Sequence, residues 1–458
     1  MDLKVKAALD PGFEPMAVVY REFQKKAAGS SGSDIVIGAV RNKDYVSVFK
    51  TRVLKDGIDD EANFKFIERI VKSMLWVYGG YKIIIAGSEK VGEYIKNAYK
   101  KGGSREFDVN FMSRVFERPF EVEIVPLDKA PKAVGSSSSV GRHLSGCRIG
   151  FDAGGSDRKV SAVVDGKAVF SEEVVWFPKL QSDPMYHYEG IKSAMKAAAE
   201  HMPRVDAIGV STAGVVIDNR MMVGSLFLKV SDEDFDKHIK NIYLDVAKEI
   251  GENIPIEVAN DGDVTALAGA MSLEDVNVLG IAMGTSEAGG YVDENGNITG
   301  WLNELAFVPV DYNESAMKDE WSGDYGCGVK YFSQDAVIKL APAAGIELDE
   351  SLSPAEKLKV VQKLMSEGDK RAAGIYETIG VYFGYQIAFY SLFYNIKHVL
   401  IMGRVTSGEG GVLLLAKAKE VLEKEFPELA KSVILNIPDE KSRRVGQSVA
   451  AASLAESR

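Results

Sequence analysis

Four short stretches place carboxylates, hydroxyls and bare backbone where strands are expected to end. Residues 149–156 read IGFDAGGS, an apolar run that delivers Asp152 and then Gly154, Gly155 and Ser156. Glycines leave amide N–H groups open to a phosphate, and a carboxylate beside them suits a magnesium ion or its water. The same letters also spell a plain turn. Residues 258–270, VANDGDVTALAGA, set Asn260 and Asp261 at the carboxyl end of a strand, where open α/β sheets place their ligands. Asp261 is suited to take the proton of a substrate hydroxyl that Asn260 positions. The alternative is that the pair caps the next helix. In GIAMGTSEAGGYVDENGNITG, residues 280–300, a strand ends in Gly284, Thr285 and Ser286, donors fit for a second phosphate contact. In HVLIMGRVTSGEGG, residues 398–411, a buried strand opens at Gly403 and Arg404 into a loop that either receives a nucleotide or only connects.

Strands and helices must alternate to position these ends. CRIGFDAGG and KVSAVVDGKAVFSEEVVWF read as strands, with Asp165-Gly166 a hairpin signal. Then follow a helix in YEGIKSAMKAAAEHM, a strand in DAIGVSTAG, a helix FDKHIKNIYLDVAKEIG stopped by Gly251, and the strand IPIEVAND. This alternation makes the class α/β. The first third runs through a similar order, DIVIGAVRNKDYVSVFKTRVL, NFKFIERIVKSMLWVYGG, KIIIAGSEKVG and PFEVEIVPLD, which is either an ancient duplication or a chance echo. In a duplicate, Val40 takes the place of Asp152 and no glycine pair follows, so the first copy has no polar site. PKAVGSSSSVG, residues 131–141, has the composition of a flexible connection. The expected division is an N-terminal α/β domain at 1–130, a linker at 131–146 and a second part at 147–458.

The 458 residues are 46% hydrophobic, enough to bury two or three cores. Net charge is −11, with 24 Lys+Arg against 19 Asp+Glu in residues 1–145, so the acidic excess lies downstream and argues against general nucleic-acid binding. Two distant cysteines, Cys147 and Cys327, suggest neither a disulfide framework nor a CxxC pair. The charged, proline-containing start MDLKVKAALDPGFEP lacks the apolar run of an export signal, so a cytoplasmic location is expected. The uncharged run between Glu377 and Lys397 is nearly long enough to span a bilayer. It holds Gln386, Ser391 and Asn395 and leads into a strand, so a helix buried in a soluble core is expected and no membrane is.

The four segments, in this order and spacing, resemble the ROK family of sugar kinases and related repressors over about residues 147–454. The resemblance implies the actin/hexokinase-like two-lobed fold built on ribonuclease H-like repeats, here with an additional α/β N-terminal domain. It assigns Asp152, Gly154, Gly155 and Ser156 to the first phosphate loop, Asp152 also to magnesium, and Gly284, Thr285 and Ser286 to the second. Gly403 with Arg404 takes the adenosine loop. Asp261 becomes the base on the sugar hydroxyl. Asn260, Glu304, Thr212 and Gly214 stand near the sugar, the last two within the Ser211–Gly214 turn.

Two departures bear on activity. WLNELAFVPVD keeps Glu304 but offers Phe307 where the family commonly has a histidine that binds sugar and zinc. The family's zinc cysteines are reduced to Cys327, too few for a closed site, so no structural zinc is expected. The family's repressors carry a winged helix-turn-helix, and the first 130 residues show no compact basic recognition helix.

The expected function is ATP-dependent phosphorylation of a sugar or amino-sugar hydroxyl, with Mg2+ and ATP as cofactors, a sugar and a nucleotide as partners, and a homodimer allowed. The alternative is a sugar- or nucleotide-binding protein of the same fold without catalysis. A radical-dehydratase activator would need clustered cysteines.

Overall fold

The computed structural model describes residues 1–135, 140–438 and 440–457, and the backbone alone for 440–445. The chain divides into two units, one of Met1–Ser136, Ile281–Gly289 and Trp301–Ile437, the other of Ser137–Gly280, Gly290–Gly300 and Pro438–Arg458. This cuts the chain differently from the expected 1–130, 131–146 and 147–458. The N-terminal segment clusters with residues 301–437 instead of standing alone. The expected linker is tied at both flanks: Val134 pairs with Val46, and Gly141 and His143 donate to Leu454 and Ser453. Its centre, 136–139, lies outside the described residues.

In the first unit, β1 (Ser33–Val40), β2 (Val46–Val53), β3 (Lys82–Ala86) and β4 (Glu121–Val125) form a sheet in the order β2-β1-β3-β4. The helix Asp60–Tyr78 follows β2, capped by Asp59, whose side chain accepts from Ala62. Most of this helix is buried, including charged residues, and each buried charge has an opposite neighbour. Arg69 donates to both oxygens of Asp324 at 3.0 Å. Lys72 lies 3.1 Å from Asp108 and 3.2 Å from Asp324, and Arg105 pairs with Glu68 and, at 2.8 Å, with Asp324. Three cations thus face three carboxylates, the arrangement a low-dielectric interior requires.

In the second unit, β5 (Cys147–Ala153), β6 (Asp157–Val164), β7 (Lys167–Val175) and β8 (Ala207–Thr212) precede the short hairpin of β9 (Val215–Ile217) and β10 (Arg220–Val223), and then β11 (Ile256–Asn260). The main sheet runs β11-β8-β5-β6-β7, with β5, β8 and β11 parallel and β6 and β7 antiparallel to their neighbours. All seven residues of β5 are buried, as a central strand covered on both faces demands. One face meets a core of Phe151, Trp176, Ile191, Val210, Phe227, Tyr243 and their neighbours. Against the other lies the helix Glu440–Ala452, so close that a Cβ on Gly150 or Gly209, which are register partners, would overlap its backbone at Ser448 or Ala451. Two glycines inside strands thereby find their reason.

The order of strands in the two sheets is similar, but their directions are not. β3 runs antiparallel to β1, whereas β8 runs parallel to β5. The echo between the N-terminal third and the later segment therefore stops at strand order.

Then come β12 (Val278–Met283), β13 (Glu287–Val292), β14 (His398–Met402) and β15 (Ile434–Asn436), in the sheet order β13-β12-β14-β15. The uncharged run forms most of the helix Lys370–Tyr390, buried along its length, and no described helix is long and apolar enough to cross a membrane.

Candidate active site

The second unit brings Asp152 and Asp261 to the same end of one sheet. Asp152 is the penultimate residue of β5, and Asp261 follows the last residue of β11. β8 lies between them, its Thr212 in register with both Ala153 and Asn260. Two strand spacings separate β5 from β11, roughly 9–10 Å. Each carboxylate feels its surroundings. Burial pushes the Asp152 carboxyl up to about 6, a hydrogen bond from Ser211 opposes the rise, and the charge of Asp261 adds to it. Burial likewise raises Asp261, against the Gly262 amide and the charge of Lys179.

Local chemistry holds these groups. Ser211 donates to Oδ1 of Asp152 at 2.7 Å, and no described side chain or amide donates to Oδ2. Asn260 does cap the following helix, accepting from Gly262 at 2.7 Å, yet its amide also donates to the Gly214 carbonyl at 2.8 Å. The capping alternative and the positioning role are therefore compatible: one amide group ties the strand end to the Ser211–Gly214 turn. Gly214 has φ +126°, and a Cβ there would overlap Val223. Thr212, expected near the sugar, needs correction. Its side chain is fully buried, its hydroxyl within 2.7 Å of that of Tyr243, so it supports the floor of the site and offers no hydroxyl to a ligand. Residues alternate faces along a strand, and Ser211 takes the face of Asp152.

The glycine loop after β5 is stitched to a segment that the sequence reading passed over. Trp176 donates its amide to Ser156 at 3.1 Å and its indole N–H to Gly154 at 2.7 Å. Three residues on, the Lys179 side chain lies over Gly155: a Cβ there would stand 3.1 Å from Cε and 3.2 Å from Nζ. In the sequence, WFPKLQ reads only as the end of a strand, and nothing in its composition points to a site.

The first unit gathers the other two predicted loops. Thr285 and Ser286 are exposed at the β12–β13 turn, closed by the Gly284 amide donating to Ser286 at 2.9 Å. Gly403, with φ +100°, is seated so that a Cβ would overlap the backbone of Met283, immediately before Gly284. The structure thus brings Gly284 and Gly403 together, with Arg404 exposed beside them. Directly after the turn, Glu287 is buried. It accepts from Tyr390 at 3.1 Å through Oε1, Oε2 has no partner among the described residues, and burial pushes the acid up to about 8.

Glu304 lies in a loop anchored to the N-terminal segment, with the Asn303 and Glu304 amides donating to Val77 and Trp76 at 3.0 and 2.9 Å. Phe307 packs in a tilted arrangement against Trp76, ring centroids 4.2 Å apart, and against Phe107 at 5.7 Å. The position where the resemblance implies a histidine is thus filled by an aromatic cluster that the first third of the chain supplies. Cys327 is buried as a free thiol, pushed up to about 12 by desolvation. Among the described residues, no group of three or more His, Cys, Asp or Glu is placed to hold a metal.

No curated protein matches the chain. Among solved structures, the ROK hexokinase from Thermus thermophilus shares 18% identity and a TM-score of 0.52, covering 68% of this chain and 97% of its own. A ROK-family transcriptional regulator, homologous to the E. coli MLC protein, shares 17% identity and a TM-score of 0.51, covering 68% and 79%. At such identities the likeness establishes the fold, which is actin/hexokinase-like with an N-terminal part. The family model described as ROK family matches residues 148–454, well over half of the sequence, and the chain belongs to the ROK family.

Proposed function

We propose that the protein is an ATP-dependent kinase of a sugar or amino-sugar hydroxyl. The observation that carries the reading is the placement of Asp152 and Asp261 at one sheet end, two strands apart, the first buried and the second half-buried, with desolvation raising both carboxyls. Raising the pKa of a carboxyl makes its ionised form a better base than an exposed aspartate. Asp261 accepts the proton of the acceptor hydroxyl, and Asn260, Gly214 and Glu304 belong to the surroundings of the sugar. Gly154, Gly155 and Ser156 serve one phosphate contact, Gly284, Thr285 and Ser286 another, and Gly403 with Arg404 the nucleoside.

Magnesium fits the donor set. Asp152 keeps one oxygen free of protein donors, and Mg2+ is typically bound by one or two carboxylates plus substrate phosphates, not by an all-protein cage. When bound, the ion neutralises phosphate charge. The chain's own part is to hold the Asp152 carboxylate at the strand end, to leave glycine amides unobstructed and to aim Asp261 at the acceptor. A cytoplasmic location accompanies this reading.

The second reading, a sugar- or nucleotide-binding protein without turnover, draws on Phe307, whose ring is committed to Trp76 and Phe107. The regulator among the structural neighbours shows that the fold is not confined to kinases. Coupled ADP release across a panel of hexoses and N-acetylhexosamines, run beside titration calorimetry, separates the two. Turnover supports the kinase, and sugar or nucleotide binding with no ADP release against any member supports the binding protein.

A further inference from the structure

We infer that Lys179 is the cation that meets the terminal phosphoryl group of a nucleoside triphosphate at Gly155; this rests on the kinase reading and adds to it a residue that the phosphate loop itself lacks. The loop offers bare amides and the carboxylates of Asp152 and Asp157, yet a triphosphate brings several negative charges to it. A positive partner is needed there, and a lysine supplies a compact point charge for phosphate.

The placement of Lys179 is built, not incidental. Trp176, 1% exposed, joins the segment to the loop through two hydrogen bonds, one to Ser156 and one to Gly154, so the residues on either side of Gly155 are both clamped. Pro178 is buried, the Leu180 and Gln181 amides close a single tight turn onto Phe177 and Pro178, and the Tyr186 hydroxyl accepts from the Phe177 amide at 3.0 Å. This framework aims the Lys179 stem across Gly155, where the absence of a side chain leaves the ammonium lying on the loop backbone.

Charge accounting narrows the role. Other exposed lysines of this chain sit beside a carboxylate, as Lys90 does at 2.9 Å from Asp60 and Lys248 at 2.7 Å from Asp245. Lys179 makes no hydrogen bond or ion pair among the described residues. Its field reaches Asp261, the proposed base, whereas the cation acting on Asp152 is Lys159. Lys179 therefore lies on the Gly155 backbone within electrostatic reach of Asp261. In phosphoryl transfer the charge is spread over the equatorial oxygens of that group, and a cation here stabilises it.

The test is calorimetric titration of MgATP and MgADP into wild type, Lys179→Met and Lys179→Arg, with thermal melts as a folding control. The side chain is exposed, so the variants are expected to melt with wild type. The expected result is that Lys179→Met weakens MgATP by about tenfold or more, leaves MgADP within about twofold, and that Lys179→Arg recovers most of the loss. Unchanged MgATP affinity in Lys179→Met overturns the inference and leaves the kinase reading standing. Equal loss of MgATP and MgADP also overturns it, because the lysine then serves the inner phosphates. Failure of wild type to bind MgATP at all overturns the kinase reading, and the inference with it.

Discussion

Ser211 and Asp152 are register partners on adjacent parallel strands, and the serine hydroxyl donates to the carboxylate at 2.7 Å. This bond works against the burial that holds the acid up to about 6, so it keeps Asp152 ionised near neutrality. Ser211→Ala removes it. The acid limb of MgATP binding then moves to higher pH by about half a unit or more, because a proton competes longer for the carboxylate. A pH series of MgATP titrations reads this directly, and coincident acid limbs for the two proteins would show that Ser211 does not set the Asp152 ionisation.

Asp261 is the assigned base. Asp261→Asn keeps the shape and removes the proton acceptor, so turnover falls about a hundredfold or more while sugar affinity stays within several-fold. Once a phosphorylated sugar is found, kcat and sugar Kd measured side by side decide it. Equal kcat in the variant would refute the role.

Glu287 carries a pH signature in stability. Its acid sits at about 8 in the folded chain, above the roughly 4.3 of an exposed glutamate. The folded state thus holds this proton more tightly than the unfolded state. Stability from this group is whole below about pH 4 and is lost progressively as pH rises to about 8. Glu287→Gln escapes the loss, so its melting temperature exceeds that of wild type by about 5 °C or more at pH 9 and converges with it near pH 5. Melting curves that run parallel from pH 5 to pH 9 would contradict the assignment.

Lys72 faces two carboxylates, Asp108 and Asp324, in the interior of the first unit. Lys72→Met leaves that cluster with an uncompensated negative charge, and the cost is about 3–5 kcal/mol. Urea unfolding measures it. A loss under about 1 kcal/mol would mean that Arg69 and Arg105 neutralise the two aspartates without help.

Much of this was open to reading in the residues. The alternation of strand and helix, the Asp165-Gly166 turn, with φ of +46° and +78°, and the stop at Gly251 are local effects. So are the positions of Asp152 and Asp261 at strand ends, since a run of apolar residues followed by glycine or by a small-residue helix has few other solutions. The inward turn of Thr212 was legible in principle from strand parity once Ser211 is set facing Asp152.

The direction of β3 against β1 was not legible, because a strand's own residues carry the same pattern whichever way the neighbour runs. Nor was Lys179, whose meaning comes from Trp176 reaching back to a loop some twenty residues earlier. The same holds for Phe307, which reads as a missing histidine until Trp76 and Phe107 are found against its ring.

The sequence by itself determined the family, the class of fold and the carboxylates at the strand ends, because backbone preference and burial are set by near neighbours. Only the tertiary structure decided which groups meet: the lysine over the glycine loop, the helix Asp60–Tyr78 against the loop of Glu304, and the three cations against three buried acids. Those contacts depend on close approach between segments tens to hundreds of residues apart, which the linear order does not encode locally.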